Sequence, residues 1–248
     1  MNKNPRVTIL VNTLQSVNSF VYSNHIAFMC ETIRRYPQKD SIFFLTPNRM
    51  SIDTARNFAA KVAMENDCDY LMFIDDDVLV PPDALDRLIE LDSDIAAGLV
   101  IIRGYPFNVM LFDFTENSKP ENPQLRYYNH LPKNEDGTLV KKVKCAAVGF
   151  SCALIGVGLL KALEPPYFIT GLNLTEDVYF CLKALETHPD VEIYADTSIQ
   201  CGHLLNPEPI EWGTREKMQE FYKPFIVEND GKEPTRTEIA IERVLANL

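Results

Sequence analysis

Apolar residues over the first hundred positions alternate between two patterns. Short, nearly unbroken runs at Arg6–Asn12, Ser41–Leu45, Tyr70–Ile74 and Asp94–Ile102 read as strands, most of them closed by polar residues or proline. Between them the spacing becomes helical. Asn18–Tyr36 places Val21, Tyr22, Met29, Ile33 and Tyr36 on helical spacing and stops before Pro37. Asp53–Glu65 repeats Ala55, Phe58, Ala59, Val62 and Ala63 at about 3.6-residue spacing, with Asp53 as the expected N-cap. Pro81-Pro82-Asp83 opens a third helix, with Leu85, Leu88 and Ile89 facing inward. The continuous apolarity of Tyr70–Ile74 predicts burial on both faces. Strands alternating with helices predict an α/β fold: a mostly parallel central sheet flanked by helices and joined by right-handed crossovers.

The second half reads differently. Tyr105–Asn134 is loop-rich and carries Pro120, Pro123 and Pro132. Thr138–Val148 and Ser151–Ile155 read as strands flanking Gly149, and Val191–Ala195 as another. Asp177–Leu185 is helical, with Val178, Cys181, Leu182 and Leu185 on one stripe. Glu211–Tyr222 and Thr237–Asn247 read as terminal helices. No repeat or linker interrupts the chain. The expectation is one domain over residues 1–248: a nucleotide-binding-type half (1–103), a mixed half (104–205) that could supply a second substrate's walls, and a C-terminal helical extension (206–248).

Composition narrows the functions. With 35 acidic and 24 basic residues the formal net charge is −11, which argues against a non-specific nucleic-acid binder and a polybasic membrane-surface protein. No apolar run approaches the roughly 20 residues of a membrane helix, so no membrane anchor is expected. Met1–Arg6 lacks a small-residue cleavage site, so no signal peptide is expected either. The six cysteines form no Cys-x-x-Cys pair, and most lie in apolar runs. Buried free thiols in a reducing, cytoplasmic compartment are the expectation, with the sequon Asn173-Leu174-Thr175 unused.

The most informative chemistry follows the third strand: Ile74-Asp75-Asp76-Asp77-Val78. In open parallel sheets, ligands bind beyond the carboxyl ends of the strands. Continued extended geometry puts Asp75 and Asp77 on one side and Asp76 on the other. Three adjacent carboxylates repel unless a cation joins them. A hard divalent ion, Mg²⁺ or Mn²⁺, takes one or two carboxylates plus phosphate oxygens. The plainer alternative is an acidic surface turn, with Asp83 capping the next helix. Among metal–phosphate families, a P-loop is absent. A haloacid-dehalogenase-type phosphatase needs Thr or Val where Leu79 stands, and places its motif earlier in the chain.

Over about Val7–His203 the sequence resembles the GT-A glycosyltransferases, in particular the family-2-like group. The resemblance rests on Asp75-Asp76-Asp77 in mid-domain, Ala55-Arg56-Asn57 upstream, the Gly-led strand Gly149–Ile155, Thr175-Glu176-Asp177 opening a helix, and Gly202-His203 after the last core strand. It implies a metal-dependent transfer of sugar from a nucleotide-diphosphate donor to an acceptor hydroxyl. Asp75, Asp77 and His203 would hold Mn²⁺ or Mg²⁺. Asp75 and Asp76, Arg56 and Asn57, and the strand ends at Asn12 and Thr46 would face the donor. Asp177 would be the general base, implying inversion. UDP is the default donor nucleotide and GDP the next. A saccharide, a glycoconjugate or a modified nucleobase fits as acceptor.

Each motif also has a plainer reading. Arg56 and Asn57 suit an exposed helix face, Glu176 and Asp177 favour a helix dipole, and a lone His203 packs more often than it ligates. His25, His130 and His188 read as structural or surface residues, and Trp212 as a core residue. Two alternatives remain at this point. One is a phosphatase with Asp75 as nucleophile and Asp77 as acid/base. The other is a non-catalytic nucleotide-sugar or carbohydrate-binding protein.

Overall fold

The computed structural model describes residues 4–13, 16–120, 122–128, 130–171, 174–205 and 208–228. In chain order the elements of the first half are β1 (Val7–Asn12), α1 (Ser19–Arg35), β2 (Ile42–Leu45), α2 (Ile52–Glu65), β3 (Tyr70–Asp75), β4 (Val78–Leu79), α3 (Ala84–Glu90) and β5 (Ile95–Leu99). Then come β6 (Leu111–Phe114), β7 (Leu125–Tyr127), β8 (Lys142–Lys144), β9 (Ala147–Val148), β10 (Cys152–Gly156), α4 (Val157–Ala162) and α5 (Glu176–Thr187). The last are β11 (Ile193–Gln200), β12 (Gly202–Leu205), β13 (Glu208–Ile210) and α6 (Arg215–Glu228), the last preceded by a 3₁₀ turn at Trp212–Thr214. The expected helix at Thr237–Asn247 and the sequon's Asn173 lie outside the described residues.

The central sheet has seven strands in the order β2-β1-β3-β10-β5-β11-β8. β2, β1, β3, β5 and β11 run one way; β10 and β8 run the other. The sheet is therefore mixed, and β3 and β5 are not neighbours. β10 lies antiparallel between them, with Ala153 opposite both Phe73 and Ala97. Cys152 to Ile155 are all buried, so this strand can occupy a slot covered on both faces.

Side chains alternate between two core layers, as strand geometry requires. Leu71 and Phe73 of β3 join the layer shared with α2, α4 and α5. Met72 and Ile74 join the layer shared with α1 and α3. The helix faces differ from those expected. Phe58 is 42% exposed, and α2 instead turns Ala55, Arg56, Ala59, Ala60 and Ala63 inward. Small residues let this helix lie close to β1. Tyr22 and Ile33 of α1 also face solvent, while Val21 and Phe28 are buried. Helix α2 begins with Ser51 at its N-cap position, and Asp53 sits in the first turn.

Two small sheets complete the molecule, β13-β12-β4 and β7-β6-β9. All six cysteines are free, and five of them are buried. Among the described residues no helix is long and apolar enough to cross a membrane.

Candidate active site

The acidic turn is clamped from two sides. Asp75 ends β3, Asp76 and Asp77 make a turn, and Val78 starts β4. Strand β12 pairs with β4, setting His203 opposite Val78, and Leu204 N–H donates to the Asp77 carbonyl at 2.9 Å. From the other side, α1 contributes Asn24, which exchanges two hydrogen bonds with the Val80 backbone at 2.9 and 3.0 Å. His25 lies 2.8 Å from the Val78 carbonyl through Nε2. Burial lowers the His25 pKa, so the neutral ring donates Nε2–H there.

Because the chain turns at Asp76-Asp77, strict alternation stops, and Asp75 and Asp77 have different partners. Asp77 faces His203 (Oδ1 to Nε2, 3.3 Å) and Arg103 (Oδ2 to Nη1, 2.8 Å). Burial pushes its carboxyl up, but His203 and Arg103 outweigh that and hold it below the ordinary value. His203 is buried, with Nδ1 2.7 Å from the Ile101 carbonyl. That carbonyl can only accept, so Nδ1 carries the hydrogen and Nε2 is left toward Asp77. Nε2 and the Asp77 carboxylate thus face each other as a pair of donors that a cation would bridge.

Asp75 turns inward. Its Oδ2 accepts the Ser151 hydroxyl at 2.5 Å, and its Oδ1 lies 3.3 Å from Arg56 Nη2. Burial raises its pKa against the pull of Arg56 and Ser151. Arg56 is only 2% exposed. Its Nη1 meets Glu176 Oε1 at 2.5 Å, and its guanidinium carbon lies 5.2 and 5.4 Å from the Phe73 and Phe150 ring centroids. Glu176 is raised by burial, against the pull of the same guanidinium.

Asp177 follows Glu176 in the first turn of α5 and is buried. Its Oδ2 accepts the Phe150 N–H at 3.3 Å, and its Oδ1 the Val178 N–H at 2.8 Å. It is near enough to Tyr127 to add to the rise that burial causes in that phenol's pKa. Tyr127 packs on Phe112 with ring centroids 4.6 Å apart.

The remaining expected donor residues are spread more widely. Asn12 ends β1 beside Asp75 in register, and its buried Oδ1 has no hydrogen-bond partner among the described residues. Thr46 is exposed just beyond β2, and Asp76 is half-buried in the turn. Asn57 spends its amide on backbone: it accepts from Tyr167 and Phe168 N–H and donates to the Asp53 and Phe168 carbonyls. It pins the 167–168 segment onto α2.

The profile of glycosyl transferase family 2 matches residues 25–163, more than half of the chain. The chain belongs to glycosyl transferase family 2. The matched span holds Arg56, the acidic triplet, Arg103 and Ser151; Asp177 and His203 lie beyond it. Among solved structures, A197 from STIV aligns with a TM-score of 0.56 at 16% identity, over 83% of this chain and 93% of that one. HddC from Yersinia pseudotuberculosis aligns at a TM-score of 0.41 and 12% identity, over 88% and 99%. TarS from S. aureus, in complex with UDP-GlcNAc, aligns at a TM-score of 0.41 and 14% identity, over 77% and 58%. No curated protein sequence matches the chain.

Family 2 membership removes the support for a phosphatase, and Asp75, its would-be nucleophile, is spent on Arg56 and Ser151. Family 2 transferases commonly depend on a divalent metal. Among the described residues no group of three or more potential ligands is gathered at metal spacing. Asp77 and His203 are brought together while Asp75 is drawn away. Two protein ligands completed by diphosphate oxygens suit a hard divalent ion, so these donors fit one.

The sequence reading of this family 2 protein missed Arg103, Ser151 and the clamp by Asn24 and His25. Arg103 could have been found, since Ile102-Arg103-Gly104 lies just past the carboxyl end of β5, where ligands bind. Ser151 had no local signal beyond its neighbour Gly149. Gly149 itself is packed tightly: a Cβ there would sit 2.4 Å from Met110 Cε.

Proposed function

We propose that this protein transfers a glycosyl group from a nucleotide-diphosphate sugar to an acceptor hydroxyl, with Asp77 and His203 holding Mn²⁺ or Mg²⁺. The observation that carries the reading is the hydrogen-bonded path from the acidic turn to Asp177. Ser151 binds Asp75, and the adjacent Phe150 N–H binds Asp177. Bound there, the metal would serve as Lewis acid and template for the departing nucleotide diphosphate. Arg103, beside Asp77 and 42% exposed on its side chain, sets a fixed positive charge at the same place. Asn12 Oδ1 is an unspent acceptor at the strand end and suits an N–H of the nucleobase, as in uracil or guanine.

Asp177 accepts the acceptor hydroxyl's proton on a carboxylate oxygen. Its two backbone hydrogen bonds fix the group and leave lone pairs for the substrate. A base on the acceptor side implies inversion at the anomeric carbon. Arg56 and Asn57 hold the site from within, rather than touching the donor. UDP- or GDP-sugars are the donors of choice.

The test is a thermal-shift panel of UDP-, GDP-, CMP- and dTDP-sugars with and without Mn²⁺, followed by nucleotide-release assays on saccharide and nucleobase acceptors. A ligand that binds only the folded state raises its melting temperature. The expected result is a metal-dependent rise for one nucleotide class. A flat panel in both conditions would sink the reading.

A further inference from the structure

We propose that Arg56 is a positioning residue that couples the donor side of the site to the acceptor side. The inference rests on the reading above, in which Asp77 and His203 hold the donor's metal and Asp177 serves the acceptor.

Arg56 bridges two acidic segments that are about a hundred residues apart in sequence. Its guanidinium meets Asp75 at 3.3 Å and Glu176 at 2.5 Å, with the Phe150 carbonyl at 3.4 Å. The rings of Phe73 and Phe150 confine it, and they stack on each other at 5.6 Å and 8°. The same short segment supplies the second link. Phe150 donates its N–H to Asp177, while Ser151 binds Asp75 through its hydroxyl and accepts the Asp75 N–H at 3.1 Å. Asp75 cannot change orientation without disturbing Arg56 or Ser151, and each of these touches what positions the base.

Stability alone explains the arrangement poorly. Buried ion pairs add little net stability, because desolvation offsets their attraction. Arg56 Nε is buried with no hydrogen-bond partner among the described residues. An arginine is the right residue for a rigid tie, since its planar fork can hold two carboxylates in one plane where a lysine offers a single point. With Asp75 and Glu176 both engaged by one guanidinium, Asp77 and Asp177 are left as the carboxylates for metal and acceptor.

The experiment reads one side of the site while altering the other. Glu176→Gln keeps the shape of the side chain on the acceptor helix and removes its charge. Mn²⁺-dependent binding of UDP and GDP is measured by calorimetry on wild type and variant, with no acceptor present. Loss of Glu176's charge lets the guanidinium settle on Asp75, which leads directly into the Asp77 turn, so nucleotide–metal affinity should fall, by up to about the tenfold that groups behind metal ligands contribute. A variant with unchanged donor affinity and a changed acceptor KM would overturn the coupling and leave a purely acceptor-side role for Glu176. Should Glu176→Gln fail to fold, Glu176→Asp keeps the charge and shortens its reach, and the same two outcomes apply. Wild-type protein that binds no nucleotide would instead refute the functional reading itself, which separates the two failures.

Discussion

Asp75 and Asp77 stand two positions apart and belong to different environments. Asp75 is tied to Ser151 and to Arg56, whose buried guanidinium lies against the rings of Phe73 and Phe150. Asp77 is about equally accessible, its side chain 26% exposed against 24% for Asp75, but it meets His203 and Arg103 instead. The turn at Asp76 makes the difference by ending the strand between them. Acidic residues that look equivalent in sequence can divide the work. On the proposed reading, Asp75 ties the site together from within and Asp77 is the carboxylate that would meet a metal.

Substitutions can break this contrast. Asp77→Ala should have the largest effect: turnover of the nucleotide sugar falls below detection while the urea midpoint barely moves. Normal turnover in that variant would erase the distinction. Asp177→Asn should lower turnover by about 10²- to 10⁴-fold, the usual contribution of a general base, with donor affinity by calorimetry unchanged. Arg56→Met tests the Asp75 side. It leaves Asp75 and Glu176 without their cation, and breaking a buried pair costs about 3–5 kcal/mol, readable by urea denaturation. Asp77→Ala and Arg56→Met should therefore show opposite balances of activity loss and stability loss.

The smallest effect concerns the clamp. Burial depresses the pKa of His25 below the usual 6.5, so the unfolded chain takes up that proton first. The stability contributed is present above about pH 6.5 and is lost as pH falls through the folded-state value. His25→Gln can still donate to the Val78 carbonyl, and should flatten that acid-side loss in a melting-temperature profile. An unaltered slope would show that His25 does not titrate with unfolding.

Much of the scaffold was legible because its signals are local. The runs ending at Asn12, Leu45 and Ile74 became parallel strands in register, and the helix at Glu176 started within a residue of its expected place. The position of β10 was not legible. Periodicity says that Cys152–Ile155 is a buried strand but not which strands flank it, nor in which direction. Arg56 was expected to face the donor or, more plainly, solvent, and its burial was not read. Yet its spacing from Ala59, Ala60 and Ala63 sets it on the inward stripe, and an arginine there requires buried carboxylates. Phe58 misled in the opposite sense, since a large apolar side chain was taken as core where the helix presents alanines. The meeting of His203 with Asp77 depends on β12 pairing with β4, a long-range contact that no local pattern records.

The late arrival of β10 has a consequence for how the chain comes to be folded. β3 and β5 are complete by Leu99, but the strand that joins them begins only at Cys152. During synthesis, both wait with unpaired backbone edges while some fifty more residues emerge. Non-local pairing of this kind slows folding and leaves intermediates open to aggregation. A fragment ending near residue 103 should be sticky and poorly ordered, however complete its alternation of strands and helices looks on paper.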